Sequence, residues 1–317
     1  QIIPKGDEIV LKADATEMIM NNWAASQLAA LSGVPLAMAA RQPAALAAQN
    51  FAWGLKARDA DKVQLLLTKQ EKKVHAPWEA RALTGPTYGR IWDDEVLEAM
   101  EEQFGDGVTG TWRVPGIRGK ALDKVTPENT TIFYGQRGPF VFLADEENRI
   151  EVKQRRDGKP GTLARGFYIT NSQVGAGKLR IGLYLYDFLC QNRIIWGMEQ
   201  FEEIAIRHSS GAPSRWLMEA MPQIKAFSAA SAKPVESQIK AAQTHLLGSG
   251  DQITDFLNRR FTKSQTINMQ AVHVEEEGRP VATRWDAVTA ATAYAKSIPW
   301  QDERFQIERK AGEMLSA

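Results

Sequence analysis

Read as a strand, residues 179–190 alternate between two chemically different faces. Leu179, Ile181, Leu183, Leu185 and Leu189 share one face, interrupted by Asp187, while Arg180, Gly182, Tyr184, Tyr186, Phe188 and Cys190 share the other. Leu179, Leu183 and Tyr186 also fit a helical stripe, an ambiguity common to short apolar runs, but the alternation favours a strand. Upstream, TWRVPGIRG, TTIFYGQRG, PFVFLADEENRIEVKQRR and GFYITNS are rich in β-branched and aromatic residues separated by turn formers. They predict further short strands, with hairpin loops at 145–148 and 157–161.

Around this segment the patterns are helical. Residues 14–56, rich in Ala, Leu and Met, predict two or three short helices broken at Gly33-Val34-Pro35 and Gln42-Pro43. Strands are expected over 63–74 and 81–91, and a helix capped by Asp93 through Gln103. A helix is expected from Gly197 to His208, then mostly helix from Pro213 to Phe261 with breaks at Pro222 and Pro234. An extended piece, 267–275, precedes helices over 283–297 and 302–315. The expected fold class is α+β: an antiparallel meander sheet packed with helices, flanked by N-terminal and C-terminal helical regions. The corresponding regions are 1–75, 76–210 and 211–317, as separate units or one continuous domain.

Composition narrows the classes. With 44% apolar and 24% charged residues over 317 positions, the chain is that of a folded protein of one large or two ordinary domains. No run approaches the roughly 18 apolar residues needed to cross a bilayer, so no membrane partner is expected. The opening QIIPKGDEIV lacks the basic-then-apolar order of a secretory signal. The lone cysteine, Cys190, excludes an intrachain disulfide framework and fits a cytoplasmic location.

Net charge is only +1, but charge is unevenly placed. Arg149, Lys153, Arg155, Arg156, Lys159, Arg165, Lys178, Arg180 and Arg193 face only Glu151, Asp157 and Asp187, a local balance of +6. Residues 93–106 carry seven acids and no cation. A concentrated cationic segment beside Tyr184 and Tyr186 suits phosphates and stacked bases. The same residues suit a charged strand edge and a second buried sheet face equally well.

Catalytic signals are weak. Gly175-Ala176-Gly177-Lys178 is similar to part of a phosphate-binding loop, but Ser172 stands where the motif has its first glycine and Leu179 where it has a hydroxyl residue. A flexible turn between strands is the better reading. Asp145 with Glu151 and Lys153 mimics the acid and Glu-x-Lys set of metal-dependent nucleases. His75, His208, His245 and His273 show no metal-ligand spacing, and a Cys190–His208 thiolate pair is less natural than a histidine near a helix C-terminus. No Gly-x-Ser-x-Gly elbow occurs. Neither a cofactor nor a resident metal is expected.

Four stretches carry a resemblance: 80–100, 170–197, 206–211 and 283–297. They contain Arg81, Tyr88 and Asp93; Asn171, Ser172 and Gly175; Cys190 and Asn192; and Arg207 with His208. In this order they resemble the phage- and plasmid-encoded family catalogued as domain of unknown function 932. The chain departs from it at Arg193, where that family often has glycine. The resemblance implies a mobile-element protein in a host cytoplasm near DNA processing. Single-strand annealing proteins of the RecT-like and Red-beta-like kind supply an analogy of fold and context.

The expected function is therefore single-stranded DNA binding and annealing without catalytic residues, by a homo-oligomer. Arg149, Lys153, Arg155, Arg156, Lys159, Arg165, Lys178, Arg180 and Arg193 would contact phosphates, and Tyr184 and Tyr186 would stack bases if their face is open. The rival readings are a metal-dependent nuclease and a phage structural or host-interaction protein.

Overall fold

Two-residue turns organise the first twenty residues. Gly6 and Asp14, both at positive φ, reverse the chain between β1 (Ile2–Lys5), β2 (Glu8–Ala13) and β3 (Thr16–Met20), which pair as antiparallel hairpins. The computed structural model describes residues 1–60, 62–69, 77–108, 110–115, 133–135, 138–152, 161–187, 193–196 and 203–315. The expected N-terminal helical region thus opens with a sheet.

Helices follow where caps permit. The Asn21 side chain accepts from the Ala24 N–H to start α1 (Asn22–Ser32), and Gly33 ends it in the left-handed region. Next come α2 (Leu36–Ala39), α3 (Ala44–Ala57), β4 (Gln64–Thr68) and β5 (Trp78–Thr84). The first sheet runs β1-β2-β3-β5-β4, parallel only between β3 and β5, where the helices and β4 intervene. Leu11, Met18, Leu28, Phe51 and Leu83 form its core under the helices.

Then come α4 (Asp93–Phe104), β6 (Trp112–Arg113), β7 (Phe133–Gly135), β8 (Gly138–Val152), β9 (Gly161–Thr170), β10 (Leu179–Asp187), β11 (Arg193–Trp196) and β12 (Ile204–Ile206). These make an antiparallel sheet, β11-β10-β9-β8-β6, with β12 on β10 and β7 on β8. The expected 197–208 helix gives way to β12 over the described part. The DEEN stretch is an irregularity inside β8, with a register shift between Ala144 and Arg149, rather than a hairpin loop. The second predicted loop, 157–161, falls almost wholly outside the described residues.

The C-terminal third folds as α5 (Ala212–Ala229), α6 (Lys233–Thr244), α7 (Gly250–Asn258), α8 (Lys263–Glu277), α9 (Arg284–Ala295) and α10 (Gln301–Glu313). Pro222 lies inside α5 without ending it, whereas Pro234 sits in the first turn of α6. The predicted extended piece at 267–275 is helical, because Thr262 and Gln265 form a capping box that starts α8.

Both faces of the second sheet are covered. Leu179, Ile181, Leu183 and Leu185 pack into one core with Phe167, Trp216 and Phe227. Each such aliphatic side chain contributes about 1.5–3 kcal/mol by leaving water. The opposite face of β9 and β10 is aromatic. Tyr184 lies across Gly166 and Tyr168 across Gly182 on the paired strands, so close that a Cβ on either glycine would strike the facing ring. Phe305 of α10 closes this layer, 4.9 Å from the Tyr168 ring and 5.5 Å from Phe140.

Candidate functional site

Those predicted nucleic-acid residues that fall among the described residues do not gather on one surface. Tyr184 and Tyr186 are 0% and 4% exposed under α10, so neither ring is open for stacking. Burial pushes the Tyr186 phenol up to about 12 and the Tyr184 phenol well above its usual value. Arg193 is a core residue: its Nε donates to Glu308 at 3.0 Å, and its guanidinium lies 4.0 Å from the Phe142 ring centre. Burial draws that guanidinium below its usual pKa against the opposing pull of Glu308. Arg165 is also buried, against Asp145, the Phe227 ring and the carbonyls of Ser228 and Ala230 at the end of α5. Its charge complements that helix C-terminus.

Arg180 pairs with Glu203, which also accepts from the Tyr168 hydroxyl. Arg149 and Lys178 are exposed. Lys153, Arg155, Arg156 and Lys159 lie outside the described residues, as do Cys190 and Asn192. Of the nuclease set, Asp145 and Glu151 are described and Lys153 lies outside the described residues. Asp145 is buried and accepts from Asn148 and Arg165, and no cluster able to hold a metal occurs among the described residues.

A different site emerges where three segments cross: 85–93, 171–178 and 207–211. Gly89 N–H donates to the His208 carbonyl at 3.3 Å, and Tyr88 bridges Ser209. The approach requires glycine at 89, since a Cβ there would sit 1.8 Å from the Ser209 oxygen. Asn171 Nδ2 donates to Ile91 O at 2.9 Å and to Asp93 Oδ1 at 2.7 Å. The turn joining β9 to β10 is pinned rather than flexible. Tyr88 Oη donates to Ser172 O, Arg90 Nε to Gln173 O, and both Trp23 Nε1 and Gln27 Nε2 to Val174 O, at 2.6–2.9 Å. Gly175 then turns at φ +77°.

These segments enclose an open cleft of about 610 Å³ lined by Gly85, Thr87, Tyr88, Gly175 to Lys178 and Arg207 to Ser210. Lys178 and Arg207 are exposed in it, and no carboxylate is part of its lining among the described residues. His208 is 5% exposed and stacks on Tyr88, with centroids 4.9 Å apart and planes at 18°. Its Nδ1 lies 3.1 Å from Gly89 O and 3.4 Å from Ile91 N. Ile91 N–H donates to Nδ1, whereas a bond to the Gly89 carbonyl needs the proton on Nδ1, so the two contacts favour opposite tautomers. Burial lowers the His208 pKa, so the ring is neutral at neutral pH, and Nε2 has no partner among the described residues. Burial pushes the Tyr88 phenol up to about 12.

Sequence reasoning placed Lys178 among the phosphate contacts, and the resemblance marked Tyr88, Gly175, Arg207 and His208 without roles. Gly89, Thr87, Ser209 and Ser210 went unmarked. Their signal was the paired Gly-bearing turns, Gly85-Pro86 and Gly175-Ala176-Gly177, each beside a residue able to contact an anion. A second cavity of about 410 Å³, between the first sheet and α1–α3, is lined mainly by Ile9, Ile19, Leu28, Leu36 and Phe51, with Asp7 and Glu8. It lacks convergent cations. No family model, curated protein or solved structure matches this chain.

Proposed function

We propose that this protein binds single-stranded nucleic acid without catalysing a reaction on it, seating backbone phosphate in the cleft beside Lys178 and Arg207. The observation that carries this reading is the presence of two exposed cations in a cleft of glycine and hydroxyl residues whose lining holds no acid among the described residues. Such a lining lets a backbone anion approach closely and keeps it from being repelled. The annealing role and the mobile-element setting rest on the resemblance alone. For assembly along a strand, Leu46 and Trp53 of α3 with Leu36 and Met38 of α2 expose apolar surface suited to a second copy of the chain. The described helices include none long and apolar enough to cross a membrane.

The test is titration of a fluorescent oligodeoxynucleotide at several salt concentrations. Affinity should fall with salt, and Lys178→Ala and Arg207→Ala should each lower the logarithmic slope by about 0.7. Absence of binding, or slopes untouched by both changes, would refute the assignment.

A further inference from the structure

We infer that α8 carries a second packing face, opposite the one it buries, and that a second copy of this chain docks there through its own α8, running antiparallel. The inference stands apart from the nucleic-acid reading and from the α2–α3 surface named above. Thr266, Met269 and His273 are the buried residues of α8, with Met269 part of the main core. On the other side Ser264, Ile267, Ala271 and Val274 are exposed, Ile267 by 66% and Val274 by 48%. Their spacing of three and four is that of a seam between two helices. Ser264 and Ala271 fall at one heptad position, Ile267 and Val274 at the other. A surface helix ordinarily turns one apolar face to the core and a polar one to water, whereas α8 is apolar on both.

Charge selects the occupant and its direction. The helix begins with Lys263 and ends with Glu275, Glu276 and Glu277, with no acid in its first turn and no cation in its last. That order is the reverse of what the helix dipole favours. A second α8 running the opposite way brings a basic start to each acidic end. A twofold axis at the level of Met269 sets Ile267 opposite Ala271 of the copy and Val274 opposite Ser264, large against small. It also sets Lys263 opposite Glu277 of the copy, twice by symmetry, and leaves only the uncharged Asn268 and Gln270 near their own counterparts. Parallel helices would place Lys263 by Asn268 and Gln270 by Glu275, joining no opposite charges. The 15 residues of α8 give a seam of about 22 Å, a length that suits a reversible dimer.

The experiment is sedimentation of the full chain, free of nucleic acid, over concentrations rising to about 0.3 mM. The sedimenting species should pass from one chain to two. Ala271→Glu puts a good helix former at an exposed position, so it should keep the fold by circular dichroism while raising the dissociation constant at least about tenfold. Lys263→Glu and Glu277→Lys should each weaken the dimer about threefold or more, because each creates two like-charge contacts. Mixed in equal amounts, those two variants should regain the parental affinity, since each then meets its opposite at both ends. A chain that stays single over the whole range overturns the inference and leaves the face to a different protein. A dimer untouched by Ala271→Glu also overturns it and directs attention to the α2–α3 surface. A mixture no tighter than either variant alone overturns the antiparallel pairing.

Discussion

Replacing Glu308 with alanine tests whether Arg193 belongs to the core or to a nucleic-acid surface. The two side chains are 2% and 1% exposed and meet at 3.0 Å, and Glu308 also accepts from Arg304 at 2.9 Å. Removing the carboxylate strands a buried guanidinium, which costs about 3–5 kcal/mol when one partner of a buried pair is lost. Gln301 Oε1, 3.3 Å from Arg193 Nη2, and the Phe142 ring offset about 1 kcal/mol of this. A net loss of about 3 kcal/mol is therefore expected. At about 3 kcal/mol per molar urea that is a midpoint lowered by about 1 M, with an unchanged slope. Melting should fall by about 4–5 °C. Glu308→Gln should lose about half as much, and Arg193→Met with Glu308→Leu should stay within about 1 kcal/mol of the original. Urea denaturation followed by tryptophan fluorescence measures all three. A Glu308→Ala protein within about 1 kcal/mol of the parent would show that α10 does not seal this face.

Two further outcomes follow from the geometry. Gly89→Ala forces a Cβ against the Ser209 carbonyl, so it should cost about 2–3 kcal/mol in urea unfolding and weaken oligonucleotide binding; parental stability would refute the crossing. The Tyr88 and Tyr186 phenols, held up to about 12 in the fold against about 10 when unfolded, make the fold fully stable below pH 10 and progressively less so as pH rises through 12. Tyrosinate absorbance and circular dichroism should change together there. If all six tyrosines ionise near pH 10 with the fold intact, the ring layer is open.

Much of the second sheet was legible because strand periodicity is a local property. The parity of residues 179–187 is visible in the letters, and the structure keeps both faces as read. What covers the aromatic face is not local. Phe305 and Glu308 arrive more than a hundred residues later, and no feature of Tyr184 or Arg193 announces them. Gly166 and Gly182 were the available hint, since glycine opposite a tyrosine leaves room for a ring lying flat across the sheet. The strands at 2–20 escaped notice because they are short and partly polar, although Gly6-Asp7 and Asp14-Ala15 are two-residue turn signals. At 262–265, Thr-x-x-Gln outweighed an alternating stretch that suggested a strand. The cleft was legible only as scattered positions, since pattern does not reveal which turns meet.

The carbonyl of Val174 is gripped by Trp23 and Gln27, partners 151 and 147 positions away. During synthesis the first sheet and its helices emerge long before the turn they must hold. A product truncated before residue 174 would keep Trp23 and Gln27 but lack the carbonyl they hold.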